Sequence, residues 1–166
     1  MSFLDSADDD PKRAQRRPLL FFVLVTLAVG ALASVFTEPN ISTWYAALIH
    51  PSFAPPNWVF APVWTILYVI MAVAAWRVWR IAGTRSPEMG LYAVQLIFNF
   101  AWSAIFFAAH QIGLALIEIS VLALLILATT ILFWRRDRLA GWLFLPYLAW
   151  TLFAAFLNHA FWLLNP

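Results

Sequence analysis

Five long apolar runs constrain this chain more than any other feature. They cover approximately Leu19–Phe36, Trp58–Trp79, Leu91–Ala109, Gly113–Trp134 and Leu139–Leu164. A hydrocarbon core about 30 Å thick is crossed by a helix of roughly 20 apolar residues. Within the runs only Arg77, near an end, and Glu118 are formally charged. Backbone groups in lipid must be satisfied inside the segment, and none of the runs alternates as a barrel strand would. The expectation is an all-α integral membrane protein, a compact bundle of five transmembrane helices. Composition agrees: 64% of residues are hydrophobic and 11% charged, against roughly 25% charged in a soluble domain. A soluble enzyme, a disordered tail and a nucleic-acid binder are thereby excluded. Cysteine is absent, which removes disulfides, thiol nucleophiles and thiolate metal sites.

The basic residues test the helix count. They fall into three groups: Lys12, Arg13, Arg16 and Arg17; Arg77, Arg80 and Arg85; and Arg135, Arg136 and Arg138. With five spans all three groups lie on one side of the membrane. The positive-inside rule then puts the N-terminus in the cytoplasm, as a polar segment over 1–17, and the C-terminus outside. A bacterial cytoplasmic membrane fits this pattern. The first run, with Ala31-Leu32-Ala33, has some features of a cleaved signal peptide. Its acidic start at Asp8, Asp9 and Asp10 and its continuation to Phe36 favour a retained helix. The spans place a five-helix domain over 18–166. The one long connection, 37–57, is polar and proline-rich, and such loops often serve as lids.

Ten tryptophans are present. Trp58, Trp79, Trp134, Trp142 and Trp162 lie near span ends and read as an interfacial belt. Trp64, Trp102 and Trp150 lie deeper, each with companions at helical spacing. Trp64 and Tyr68 are four apart and share a face. Gln95, Asn99 and Trp102 follow at i, i+4 and i+7. Trp150, Ala154 and Asn158 do so on the fifth run, with Tyr147 one turn earlier. Amides are costly against lipid and turn into a bundle. Singly they serve as bonds between helices. Together with three deep indoles and a small residue, they suggest a pocket for a flat aromatic guest.

Other residues say less. Pro146, inside the fifth run, should kink it. Glu118 lies about a turn and a half inside its span, close enough to the interface to snorkel, with a proton site or subunit contact as alternatives. His50, His110 and His159 all fall on the outer side, away from the deep positions that axial haem ligation would use. No metal site, catalytic residue, acid–base pair or phosphate loop is expected. Ala101, Ala104 and Ala108 form a small-residue strip suited to close helix approach, within the bundle or in a dimer.

Several motifs resemble a known family. Trp44-Tyr45, Leu48, Pro51, Phe53, Pro55-Pro56, Trp58-Val59-Phe60, Val63-Trp64-Thr65 and Leu67-Tyr68 look like the first loop and second helix of the translocator protein family. Its bacterial members are the tryptophan-rich sensory proteins and its animal members the peripheral-type benzodiazepine receptors. Gln95-Leu96, Asn99, Trp102 and Phe106-Phe107 resemble that family's third helix, and Pro146-Tyr147, Trp150, Phe153-Ala154 and Leu157-Asn158 its fifth. The matches recur in order over about 120 residues. The resemblance implies binding of porphyrins such as protoporphyrin IX and haem, and of isoquinoline or benzodiazepine drugs, as ligands and without a required cofactor. It also implies a role in tetrapyrrole homeostasis or stress response, and homodimers. By position it implies that Trp64, Asn99, Trp102, Trp150, Ala154 and Leu157 line the pocket and that Trp44 belongs to a loop lid. Light-dependent porphyrin degradation, the one candidate enzymatic activity, would put Trp64 and Trp150 beside the ring as oxidisable groups. The chain departs from the family at Phe100 and Leu114, where tryptophans are found, and carries no cholesterol-recognition pattern after Tyr147. Drug affinity below that of animal members is therefore expected. Binding requires only an aromatic pocket. Coupled transport would want a relay of deep ionisable residues, and ordinary catalysis a cofactor or acid–base pair. A porphyrin-binding sensor is the expectation, with tetrapyrrole transport as the alternative.

Overall fold

The computed structural model describes residues 11–166, and the acidic start at 8–10 lies outside them. Five helices long and apolar enough to cross a membrane are present. We number them α1 (Pro11–Asn40), α2 (Phe60–Ala82), α3 (Pro87–Ser103), α4 (Ile112–Arg136) and α5 (Arg138–Leu164). No strand occurs among the described residues. Each helix packs chiefly on two others, in the circular order α1, α2, α5, α4, α3 and back to α1.

Local chemistry sets the ends. Ser86 caps α3 by accepting from the Met89 amide, with Pro87 in the first turn. Gly83, at φ 78°, closes α2 in a conformation that glycine adopts without cost. Asp137 caps α5, its Oδ1 accepting from the amides of Leu139 (2.9 Å) and Ala140 (3.4 Å). The same carboxylate meets Arg77 Nε at 2.6 Å, and Glu88 meets Arg136 Nε at 2.6 Å. Two of the three basic groups are thereby tied together across the short connections.

Two boundaries differ from the sequence reading. The polar segment 1–17 is helical from Pro11 onward. The expected loop 37–57 is mostly not a loop: α1 reaches Asn40 and continues as a wider π-type turn over Ile41–Tyr45. Polar side chains there bond back to the helix rather than to a loop. Thr37 Oγ1 donates to Ala33 O, Asn40 Nδ2 to Phe36 O and Thr43 Oγ1 to Pro39 O. A second π-type turn, Ala104–Ala108, ends α3, and α1 packs against it. Helix α5 runs through Pro146 without interruption.

The two halves of the bundle are packed differently. Toward the basic end, Tyr92, Phe133, Phe144 and Tyr147 interlock, with Phe133 and Phe144 centroids 4.9 Å apart. Met71, Val78, Phe133, Phe144 and Tyr147 have no exposed surface. Toward the other end the facing residues are smaller, among them Gly30, Ala33, Ser103 and Ala154, and the bundle is hollow. Glu118 does not snorkel. It lies in the second turn of α4, is 8% exposed, and neither carboxyl oxygen has a hydrogen-bond partner. It falls on the same stripe as Ala115, Ile119 and Leu122, which α4 turns inward.

Candidate ligand cavity

The hollow half encloses a cavity of about 520 Å³, inside the roughly 300–1,000 Å³ range of small-molecule sites. Every helix contributes to its wall. Trp64 and Tyr68 come from α2, stacked on one another with centroids 5.5 Å apart. Asn99, Trp102 and Ser103 come from α3, Ile119 and Leu122 from α4, and Trp150, Thr151, Ala154, Leu157 and Asn158 from α5. Helix α1 supplies Leu27 and small or polar residues from Gly30 to Glu38, and the π-type turn after it adds Ile41 and Tyr45.

Hydrogen bonds fix the polar part of this wall. Tyr68 donates to Asn99 Oδ1 at 2.6 Å, Asn99 Nδ2 donates to the Tyr147 hydroxyl at 3.1 Å, and Tyr147 donates to Gln95 Oε1 at 2.8 Å. Trp102 Nε1 donates to Asn158 Oδ1 at 3.1 Å, and Asn158 Nδ2 to the Ile112 carbonyl at 2.9 Å. Both amides are thus held in one orientation by groups on other helices. Trp150 Nε1 and Thr151 Oγ1 are left without a partner. Thr151 stands out here, because the hydroxyls of Thr26, Thr65, Thr129 and Thr130 all donate to the carbonyl four residues back.

One close approach shapes the cavity's flank. A Cβ on Gly30 would collide with the Tyr68 ring, so glycine lets α1 and α2 pinch together there. Beyond the pinch, exposed Ala31, Ser34 and Glu38 on α1 face exposed Asn57, Ala61 and Thr65 on the α2 side. The cavity opens between these two rows. Leu32, Val35 and Ile66 beside them are about 60% exposed, which marks this flank as lipid-facing.

Eight of the eleven expected residues lie in the wall: Trp64, Tyr68, Asn99, Trp102, Trp150, Ala154, Leu157 and Asn158. Three do not. Gln95 and Tyr147 have no exposed surface and form the hydrogen-bonded floor under Asn99. Trp44 is not a lid. It stacks on His110 at 4.3 Å and meets Phe106 edge-on at 5.5 Å, which fastens the π-type turn after α1 to the turn after α3. His110 takes φ 57° and its Nε2 lies 3.0 Å from Asn40 Oδ1. Sequence reasoning missed Phe60, Phe106, Phe107 and Thr151 in the wall. Phe106 and Thr151 lie four and one residues from tryptophans it singled out. Among the described residues no group of acidic or histidine side chains could hold a metal ion.

A five-helix integral membrane protein enclosing an aromatic, amide-bearing cavity is the class these features define. Residues 22–163 match the TspO/MBR family, and the chain belongs to it. It is 36% identical over 148 residues to the tryptophan-rich protein TspO of Archaeoglobus fulgidus, covering 89% of this chain and 96% of that one. It is 39% identical over 149 residues to the translocator protein of Sus scrofa, covering 87% and 88%. With the tryptophan-rich sensory protein of Cereibacter sphaeroides it shares 38% over 144 residues, covering 87% and 90%.

Proposed function

We propose that this protein is a membrane receptor or sensor that binds porphyrins, protoporphyrin IX and haem among them, and similar planar hydrophobic molecules, in the cavity between its helices. One observation carries the reading: indoles from α2, α3 and α5 and the Asn99 amide converge on a single space of about 520 Å³. Indole faces stack on flat rings, and fixed amides orient a polar edge. A role in tetrapyrrole homeostasis follows from a guest of this kind. The basic groups support an N-terminus in the cytoplasm.

Titration of the detergent-solubilised protein with protoporphyrin IX, followed by tryptophan quenching, tests it. Saturable quenching is expected, with affinity lowered by Trp150→Phe and by the cavity-filling Ala154→Leu. Linear, unsaturable quenching, or the same affinity in both variants, would rule the cavity out as the binding place.

A further inference from the structure

The cavity's charge is lopsided in a way that selects among flat guests. None of its lining residues is Lys, Arg or His, and its one formally charged member is Glu38, exposed at the mouth. No ion pair or hydrogen bond engages that carboxylate among the described residues. The hydroxyls around it already direct their protons to backbone carbonyls. Ser34 donates to Ala31 O, Thr37 to Ala33 O and Thr65 to Ala61 O. Each therefore offers the mouth lone pairs only. Deeper in, the Tyr68 hydroxyl, the Trp102 indole N–H and one N–H each of Asn99 and Asn158 are engaged by protein acceptors. The other lining donors, on Tyr45, Asn57, Ser103, Trp150 and Thr151, have no protein acceptor among the described residues, and all are neutral, so no positive charge offsets the desolvation of an anion.

Resting on the binding reading above, we infer that this site selects planar hydrophobic guests carrying a cationic or N–H-donating group at the mouth. It disfavours guests that carry carboxylates there. A dicarboxylic porphyrin has to hold its carboxylates away from Glu38, in water or among headgroups. A ring of the same size bearing amines places them against a row of acceptors and a negative charge. Glu38 is the specificity-determining residue, acting on the charge of the guest and not on its ring.

Three probes sharing one macrocycle test this: protoporphyrin IX, its neutral dimethyl ester, and its bis-amide with ethylenediamine, which is dicationic at pH 7. Each is titrated by tryptophan quenching into the full chain in a non-ionic detergent at low salt. The expected affinity order is dication, then ester, then free acid. A unit charge at the mouth, partly screened, shifts affinity by about five- to tenfold. Glu38→Gln should weaken the dication and tighten the free acid by that factor while leaving the ester unchanged, and added salt should shrink both effects. Equal affinities for the three probes, a tighter free acid, or a Glu38→Gln variant that shifts all three together would overturn the inference with the binding reading intact. Failure of all three to quench saturably would overturn the binding reading and this inference with it.

Discussion

Asn99 is the point at which three helices are joined. It accepts from Tyr68 on α2, donates to Tyr147 on α5 and sits one turn from Gln95 on its own helix, which Tyr147 also reaches. Asn99→Ala removes two bonds and leaves two phenols short of partners in a nonpolar interior. We expect it to cost about 1–3 kcal/mol, read as a lower unfolding temperature in detergent. Tyr68→Phe removes one bond beside the open cavity and should cost less; an equal loss from both would mean that the chain of bonds is not what Asn99 supports. The i, i+4, i+7 spacing of Gln95, Asn99 and Trp102 was enough to place all three on one inward face. It could not say that Gln95 is consumed by Tyr147 while Asn99 meets the cavity, because spacing fixes a direction and the partner comes from another helix. Trp44 was harder still. Its role depends on stacking against His110, and each lies in or just after a π-type turn. Such a turn shifts the phase of every side chain beyond it, so helical spacing carries no information across it.

Packing between elements turns on two glycines and one carboxylate. A Cβ at Gly141 would lie 2.6 Å from Trp134 Cε3 and 2.9 Å from Trp134 Cα. The second of these is backbone and cannot swing away, so Gly141→Ala must push α4 and α5 apart. At Gly30 the obstacle is the Tyr68 ring alone. We expect Gly141→Ala to lower the unfolding temperature more, and Gly30→Ala to weaken porphyrin quenching more, because the pinch borders the cavity. Both losses falling on one variant would contradict this division. Asp137 joins α2 to the α4–α5 turn. Burial raises its carboxyl's affinity for protons, but the Arg77 hydrogen bond and charge, with the amides of Leu139 and Ala140, hold it below the usual carboxylate range. A carboxyl that binds protons less readily when folded stabilises the protein above its unfolded pKa, near 3.9. That stability is lost as pH falls through the lower folded value. As pH falls from about 5 through the folded value, wild type should therefore lose stability more steeply than Asp137→Asn, with the two curves converging at the acid end. Parallel curves would show that the Arg77 pair contributes nothing. At this scale the sequence was legible where hydrophobic length decided the matter, and the five spans stand. It misled over 37–45, where Thr37, Glu38, Pro39 and Asn40 read as a loop. Side chains that bond to the carbonyl four residues back let polar residues continue a helix, and composition alone cannot distinguish that from a turn.

For the molecule as a whole, charge and void lie at opposite ends. The cations of Arg16 and Arg17, of the α2 terminus and of the α4–α5 turn mark one end, where aromatic rings fill the core. The cavity and its mouth at Glu38 and Asn57 belong to the other. Membrane orientation therefore determines which compartment supplies the guest. Lysine and arginine are retained on the cytoplasmic side during insertion, so the mouth should face outward, and a guest should arrive from the outer leaflet or the space beyond it. The absence of cysteine allows this to be read directly. Ser52→Cys, exposed in the connection before α2, and Thr84→Cys, exposed in the turn after it, place single thiols at the two ends. In intact bacterial spheroplasts a membrane-impermeant maleimide should label Ser52→Cys and spare Thr84→Cys until the cells are lysed. The opposite pattern would invert the protein, turn the cavity toward the cytoplasm, and make the interior of the cell the source of whatever it binds. Labelling of both without lysis would mean that the two connections do not lie on opposite faces, and α2 would then not span the membrane at all.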